Sequence, residues 1–235
     1  MSRNATKDLT TGSPMKLILG FGIPLLFGML FQQFYNMMDT IIVGKFLGVS
    51  ALASVGATGS INFMIIGFCM GVCNGFAIPV AQRFGAKDEH GMRKFVANSV
   101  WLSFLFAFFM AVLVCVFCRQ ILELMNTPED IIDGSYSYIF VIFLGIPATY
   151  MYNLLSGIMR SLGDSKTPLY LLIFSSILNI ILDLLSIIVL KMGVAGAAWA
   201  TVIAQAVSGF CCLGVIWKKF PILHVQREEW QPDKP

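Results

Sequence analysis

The chain has 235 residues, of which 57 % are hydrophobic and only 12 % are charged. This composition, together with a positive mean hydropathy, lies outside the range of soluble globular proteins and predicts an all-α protein that crosses a membrane several times. The formal net charge of +3 reflects basic residues concentrated in loops, and it gives no indication of nucleic-acid binding.

Six apolar segments are each long enough to cross a bilayer, which takes about 20 helical residues. In chain order they are residues 17–43, 51–80, 95–118, 136–158, 169–190 and 194–217. We predict that they form one transmembrane lobe, residues 1–217, followed by a polar cytoplasmic linker, residues 218–235. The first apolar segment is too long for a signal peptide, so we expect it to remain in the mature protein.

The positions of the basic residues predict the orientation, because Lys and Arg accumulate in short cytoplasmic loops. If the N-terminus is inside, 13 of the 16 basic residues fall on the inner side, and only Lys45, Arg119 and Lys191 fall outside. Both termini are therefore predicted to be cytoplasmic. The chain reads as a multi-pass protein of the plasma membrane, in contact with the lipid bilayer.

The sequence gives little support for catalysis. All six cysteines fall in predicted spans without the spacing of a zinc, haem or thioredoxin motif, so we interpret them as packing residues. The two histidines, His90 and His224, lie in predicted loops, and no nucleophile–base pair is apparent. We therefore expect neither an enzyme nor a bound cofactor.

Two acidic residues, Asp39 and Asp183, lie inside predicted spans, where a charge costs about 2.5–3.5 kcal/mol on insertion scales. Each belongs to a run of polar residues at helical spacing. These runs are Gln32, Tyr35, Asn36 and Asp39 on the first span, Ser176, Asn179, Asp183 and Ser186 on the fifth, and Thr201, Gln205 and Ser208 on the sixth. Counted from the span ends, Asp39, Asp183 and Thr201 all lie about 6–12 Å below the outer surface.

We therefore predict that three helices meet in a polar cavity in the outer half of the membrane. Two carboxylates, an amide and a hydroxyl suit a hard cation such as Na⁺, and the carboxylates can equally hold a proton. The residues leave H⁺ and Na⁺ both open. The alternative interpretation is that Asp39 is solvated near the headgroups and that Asp183 is a neutral packing residue.

Other features are less specific. Pro24 and Pro147 each follow Gly-Ile and favour kinks, while Gly67, Gly71 and Gly75 are spaced for close helix packing. Met37 beside the first polar run, and Tyr150 and Asn153 on the fourth span, are candidates for lining a cavity. In the loop between the fourth and fifth spans, we expect Asp164 to pair with Arg160 or Lys166 and Gly163 to permit a tight turn.

Several motifs together are similar to one family. They are Gly22-Ile23-Pro24, Tyr35-Asn36 followed by Asp39, the loop from Arg160 to Pro168 (RSLGDSKTP), Asn179 with Asp183, and Gly196 to Thr201 (GAAWAT). Over nearly its whole length the chain resembles the multidrug and toxic compound extrusion (MATE) transporters. The resemblance implies a cation-coupled antiporter of two pseudo-symmetric six-helix lobes, with a cation site at Asp39, Asn179, Asp183 and Thr201.

Such transporters usually have twelve spans, so six spans indicate the N-terminal lobe, either a fragment or a half that meets a partner. The expected partner is a C-terminal lobe or a second copy of the chain. The expected substrates are organic, cationic and amphipathic compounds, exported in exchange for H⁺ or Na⁺. Substrate-cavity candidates are Gln32, Tyr35, Asn36, Met37, Tyr150, Asn153 and Gln205, and Pro24 is the candidate hinge.

Two other functions remain open at this point. One is a flippase of the same superfamily that moves lipid-linked sugars, which would need a basic cavity for phosphates that the spans do not offer. The other is a half that does not transport and only packs against a partner transporter.

Overall fold

The computed structural model describes residues 12–223, and this part of the chain is helical with no strand. Its helices are α1 (Pro14–Leu47), α2 (Val49–Gly85), α3 (Glu89–Val116), α4 (Cys118–Leu124), α5 (Ile132–Leu144), α6 (Ile146–Ser161), α7 (Lys166–Leu184) and α8 (Gly193–Lys219). A π-helical turn, Leu185–Val189, continues α7, and a 3-10 turn, Pro221–Leu223, follows α8. Five of these helices are long and apolar enough to cross a membrane, and the bent pair of α5 and α6 adds a sixth if the two are counted as one span. The predicted all-α membrane protein is confirmed.

Consecutive spans alternate in direction, so the turns fall at two ends of the bundle. Gly48, with φ +89°, separates α1 from α2 at one end, which we call the Gly48 end. Gly163, with φ +83°, lies in the turn between α6 and α7 at the other, which we call the Gly163 end. The turn between α2 and α3 also lies at the Gly163 end, where the Asp88 carboxylate accepts the Gly91 N–H at 2.9 Å and caps α3.

Helix α8 lies at the centre of the packing, because it contacts α5, α6 and α7. Small residues allow this approach, as is usual for helices in membranes. A Cβ atom added to Gly145 would lie 2.2 Å from the Val202 side chain, and one added to Gly209 would lie 2.4 Å from that of Met151. By contrast, α1 packs mainly on α7 and α2 and leaves much of its surface exposed.

The fourth predicted span, residues 136–158, is a broken helix. Helix α5 ends before Gly145, and α6 leaves at an angle of 47° with Pro147 in its first turn. The proline has no N–H to continue the hydrogen-bonding of the preceding helix, and Gly145 lets the break press against α8. The end of the third predicted span differs as well, since α3 stops at Val116 and the short helix α4 follows.

Three smaller predictions are corrected by the structure. The sixth span does not end at residue 217, because α8 runs to Lys219, and Phe220 and Leu223 after it are buried, while the linker role of residues 218–223 stays a prediction. Gly67, Gly71 and Gly75 do not pack against another helix within residues 12–223, because no atom of another helix lies within 4 Å of a Cβ added at any of them. Asp164 does not form the predicted ion pair. Its carboxylate instead accepts the Lys166 and Thr167 N–H groups at 3.1 and 3.0 Å, at the start of α7.

The structure does not describe residues 1–11 of the predicted lobe or residues 224–235 of the predicted linker. The predictions for these two terminal segments lie outside the described residues. The predicted packing role of the cysteines agrees with their state, since all six are free thiols and Cys69, Cys73, Cys118 and Cys212 are buried.

Candidate functional site

The two carboxyl groups predicted to meet are adjacent in the structure. Asp39 on α1 is 7 % exposed, Asp183 in the last turn of α7 is 0 % exposed, and their side chains adjoin one another. Tyr138 of α5 donates its hydroxyl proton to Asp39 Oδ2 at 3.5 Å. Asp39 Oδ1 and both carboxyl oxygens of Asp183 have no hydrogen-bond donor among residues 12–223.

Three further polar groups complete this site. Asn179, one turn before Asp183, is fully buried and donates its amide N–H to Thr201 Oγ1 on α8 at 3.3 Å. Tyr35, one turn before Asp39, is buried and lies beside Thr201 and both carboxyl groups. We call Tyr35, Asp39, Asn179, Asp183 and Thr201 the carboxyl site. It joins α1, α7 and α8, which are the three helices that carry the predicted polar runs.

The backbone of α7 changes immediately after Asp183. Residues Leu185–Val189 form a π-helical turn, a rare conformation that often accompanies functional positions. Within it, Ser186 donates its hydroxyl to the Asp183 carbonyl at 3.2 Å. A Cβ on Gly196 of α8 would lie 3.2 Å from the Ser186 side chain, so α8 approaches this turn closely. The π-helical turn that follows Asp183 is therefore also a place of close contact between α7 and α8.

The arrangement suits a proton or a small hard cation. Buried carboxyl groups that adjoin each other in a bilayer need a shared proton or a bound cation to offset their repulsion. The oxygens without donors include Tyr35 Oη and Asn179 Oδ1 as well as those of the two carboxyl groups. In the described chain no three His, Cys, Asp or Glu side chains are grouped to hold a metal ion, so any Na⁺ would also need the amide and hydroxyl oxygens.

The remaining candidates separate into two groups. Gln205 is buried one turn along α8 from Thr201, next to the carboxyl site. Gln32 is half-buried, while Asn36 and Met37 are exposed on another flank of α1. Asn36 and Tyr35 are neighbours in sequence and so point about 100° apart on a helix, and only the Tyr35 side faces α7 and α8. The structure therefore does not bring Asn36 or Met37 into the site.

Tyr150 and Asn153 lie elsewhere. They line a small recess between α2 and α6, together with Cys69 and Cys73. The Cys73 thiol contacts the Tyr150 carbonyl oxygen at 3.9 Å. This recess is separate from the carboxyl site, and a role in substrate binding stays a prediction. Pro24 lies within α1, which runs through it without a break, and its role as a hinge also stays a prediction.

Sequence reasoning missed Tyr138. A signal was present, because Tyr138 lies near the start of the fourth span and so at a depth similar to that of Asp39. It was overlooked because an aromatic residue in an apolar segment looks the same whether its hydroxyl meets a partner or the headgroups. The depth count that linked Asp39 with Asp183 and Thr201 would have included it.

The chain matches known proteins over most of its length. The MatE family model matches residues 24–185. The chain is 35 % identical over 205 residues to the probable multidrug resistance protein YoeA of Bacillus subtilis, covering 85 % of this chain and 44 % of YoeA. It is 27 % identical over 227 residues to the multidrug export protein MepA of Staphylococcus saprophyticus, covering 94 % of this chain and 49 % of MepA.

Solved structures agree with this relationship. A MOP superfamily transporter from Pyrococcus furiosus superposes with a TM-score of 0.88 at 26 % identity, covering 100 % of this chain and 51 % of that one. A MATE structure in the bent conformation gives a TM-score of 0.86 at 27 % identity, covering 95 % of this chain and 50 % of that one. The chain spans about half the length of the curated relatives it matches. It is a multi-pass protein of the cell membrane and belongs to the MATE family.

Proposed function

We propose that the chain is one lobe of a cation-coupled antiporter that exports organic, cationic and amphipathic compounds in exchange for H⁺ or Na⁺. The observation that carries the proposal is the carboxyl site, with its buried and adjacent Asp39 and Asp183. Relatives described as multidrug resistance or export proteins support the class of substrate. No contact in residues 12–223 favours the alternatives of a lipid-linked sugar flippase or a half without transport activity.

The carboxyl site connects a loosely packed helix to a tightly packed one. Asp39 belongs to α1, whose surface is largely exposed, whereas Asp183 belongs to α7, which packs along α8. When a bound cation or proton neutralises the negative charge of the two carboxylates, α1 can remain against α7. When it leaves, the two like charges repel in a medium of low dielectric constant, and α1 is driven away from α7. Pro24, four turns from Asp39 on the same helix, is the expected bending point.

Coupling follows if the two positions of α1 bind the cation with different affinity, since a ligand shifts only an equilibrium whose states it distinguishes. A cation that favours one position of α1 then drives the cavity towards one face of the membrane. The substrate is held between this lobe and a second one, supplied by a C-terminal lobe or by a second copy of the chain. The exposed surface of α1 and the open glycine face of α2 are consistent with such a neighbour.

The test is efflux of a fluorescent cationic dye from vesicles, driven by a proton or sodium gradient. The vesicles contain the chain alone, or the chain fused to the half of YoeA that it does not match. Asp183→Asn is expected to abolish efflux, because the amide cannot bind and release the cation. The matched control is Asp133→Asn, an exposed acid 3.7 Å from Arg119 that we expect to be silent.

The two formats separate the partner from the mechanism. Efflux by the chain alone means that a second copy acts as the other lobe, whereas efflux by the fusion alone means that a C-terminal lobe is required. If Asp183→Asn retained full gradient-driven efflux in whichever of the two formats is active, the proposal would be wrong. Comparing proton and sodium gradients identifies the coupling ion.

A further inference from the structure

The carboxyl site continues into a line of polar residues on α8. Thr201, Gln205, Ser208 and Cys212 follow one another at helical spacing and share one face, which we call the α8 polar face. Gln205 is 7 % exposed, and Ser208 and Cys212 are 0 % exposed. From Thr201 to Cys212 the face runs about 16 Å along the helix, away from the carboxyl site and towards the Gly163 end.

Both ends of the α8 polar face meet polar groups of other helices. Thr201 accepts the Asn179 amide N–H within the carboxyl site. Three turns away, the Cys212 sulfur lies 3.9 Å from Ser156 Oγ on α6. On α6, Tyr152 and Arg160 each lie about one turn from Ser156. The face therefore runs from the buried carboxyl pair to a polar residue of α6, towards the Gly163 end.

The middle of the face has unsatisfied polar atoms. Gln205 Oε1 and Ser208 Oγ are buried and have no hydrogen-bond partner among residues 12–223. Seven of the ten such atoms in that range lie on α1, α7 or α8, namely Tyr35 Oη, Asp39 Oδ1, Asn179 Oδ1, Asp183 Oδ1 and Oδ2, Gln205 Oε1 and Ser208 Oγ. The facing serines of α7 differ, because Ser175 donates to the Ala204 carbonyl at 3.3 Å and Ser176 to the Leu172 carbonyl at 2.9 Å.

Unpaired polar atoms are costly within a membrane, where bulk water is absent. Buried water molecules are the usual partners of such atoms in proteins, and each makes about three hydrogen bonds. Two unpaired atoms, Gln205 Oε1 and Ser208 Oγ, follow one another on the α8 polar face between polar groups at both ends, which is an arrangement that suits a row of water molecules.

We propose that the α8 polar face binds a single file of water molecules between Thr201 and Cys212, and that this file carries protons between the carboxyl pair and the Gly163 end. The second part rests on the proposed antiport. One proton leaves the carboxyl pair, each water accepts one proton and passes one on, and one proton is released at the Gly163 end.

Hydroxyl-radical footprinting of the chain in lipid nanodiscs tests the water file directly. Buried side chains react when a bound water lies beside them, so Cys212 and Tyr152 are expected to be labelled although both are buried. Met92, a fully buried residue of α3, is the dry reference. The double variant Gln205→Leu/Ser208→Ala is expected to reduce labelling of Cys212 to the level of Met92. The control Ser99→Ala removes a buried hydroxyl that is already bonded to the Phe95 carbonyl at 2.6 Å.

Dye efflux in the active vesicle format tests proton movement. The double variant is expected to slow proton-driven efflux about tenfold, the equivalent of one lost buried hydrogen bond. Ser99→Ala should be unaffected. The variant Gln205→Asn keeps a carbonyl group, so its labelling of Cys212 and its efflux rate should exceed those of the double variant. This difference separates loss of the water file from misfolding.

The outcomes are distinguishable. Labelling of Cys212 no greater than that of Met92 in the unsubstituted chain overturns the water file. Labelling that the double variant abolishes without slowing efflux overturns its role as a proton route. Efflux that persists in Asp183→Asn contradicts the proposed antiport instead, while the footprinting still decides whether the water file exists.

Discussion

Polar residues occur in two regions of this bundle, and the structure uses them differently. Around α2, α5 and α6 several serines join helices through hydrogen bonds to backbone carbonyls, although Asn62 Oδ1 and Tyr150 Oη there have no partner among the described residues. Ser135 of α5 donates to the Ser54 carbonyl at 3.0 Å, Ser54 donates to the Ile131 carbonyl at 3.3 Å, and Ser161 of α6 donates to the Ala77 carbonyl at 2.8 Å. In the carboxyl site, by contrast, most side-chain oxygens have no donor among the described residues.

The difference shows that a polar residue in a membrane helix is not by itself a sign of function. A hydroxyl bonded to a backbone carbonyl holds two helices together and needs nothing more. A buried carboxyl or amide oxygen without a donor needs a proton, an ion or water. The predictions below test this distinction by changing residues of both kinds.

The largest effect is expected at Asp183. If the carboxyl site binds a cation, a concentration of 100 times the Kd stabilises the folded chain by about 2.7 kcal/mol. Asp183→Asn removes one of the two charges that bind it, so this stabilisation should vanish. Thermal unfolding in detergent, measured over a Na⁺ series and a pH series, checks the loss. The same dependence in Asp183→Asn as in the unsubstituted chain would show that the cation binds elsewhere.

A steric change in the packed region should cost stability without affecting cation binding. A Cβ at Gly145 would lie 2.2 Å from the Val202 side chain, so Gly145→Ala must displace α8 or the break between α5 and α6. Overpacking of this kind costs about 1–3 kcal/mol. The control Gly71→Ala adds the same methyl group to an open surface. Equal thermal stability of the two variants would mean that the bundle absorbs the methyl group, contrary to expectation.

Much of this architecture was predictable from the sequence, for physical reasons. Apolar segments of membrane-spanning length predict helices, because only helices or closed barrels satisfy the backbone in a bilayer. The scarcity of charge drew attention to Asp39 and Asp183, and helical spacing added Asn179 and Thr201. All four residues are neighbours in the structure. Their role in coupling stays a prediction, because proximity does not identify a bound ion.

The features that sequence reasoning missed depend on contacts between distant segments. Tyr35 and Asn36 are both polar, and only the packing of α1 on α7 determines that Tyr35 faces inward. Pro147 predicts a kink in the fourth span, but it does not reveal how closely Val202 of α8 approaches the break at Gly145. Phe220 followed two lysines and looked like part of a linker, yet it is fully buried. Periodicity describes one helix at a time and carries no information about its neighbours.

Ser135→Ala should have a smaller effect, limited to stability. It removes the hydroxyl that bonds to the Ser54 carbonyl between α5 and α2, and such contacts in membrane proteins contribute about 0.6 kcal/mol. Ser137→Ala is the matched control, because that hydroxyl is exposed and bonds only within its own helix, to the Asp133 carbonyl. Thermal unfolding of both variants measures the difference. If Ser135→Ala changed how thermal unfolding depends on cation concentration, the two regions would not be functionally distinct.

The smallest effect is expected at Asp88, a carboxylate outside the spans whose hydrogen bonds are complete. The Gly91 N–H and the Arg83 guanidinium, 2.7 Å away, lower the pKa of Asp88 below its usual value. A carboxyl group with a lowered pKa in the folded state adds stability above its unfolded pKa of about 4, and that stability is lost as the pH falls through the folded value. Asp88→Ala should therefore remove a small part of the acid sensitivity of thermal unfolding.

The comparison with Asp88→Asn separates charge from capping. The amide still accepts the Gly91 N–H but carries no charge, so it should lose the pH dependence while keeping most of the stability at neutral pH. Neither variant is expected to alter cation binding, because Asp88 lies at the Gly163 end, with its acceptors occupied. If either substitution changed how thermal unfolding depends on cation concentration, a fully hydrogen-bonded carboxylate would also influence the carboxyl site. The unpaired oxygens would then not be what distinguishes that site from the rest of the bundle.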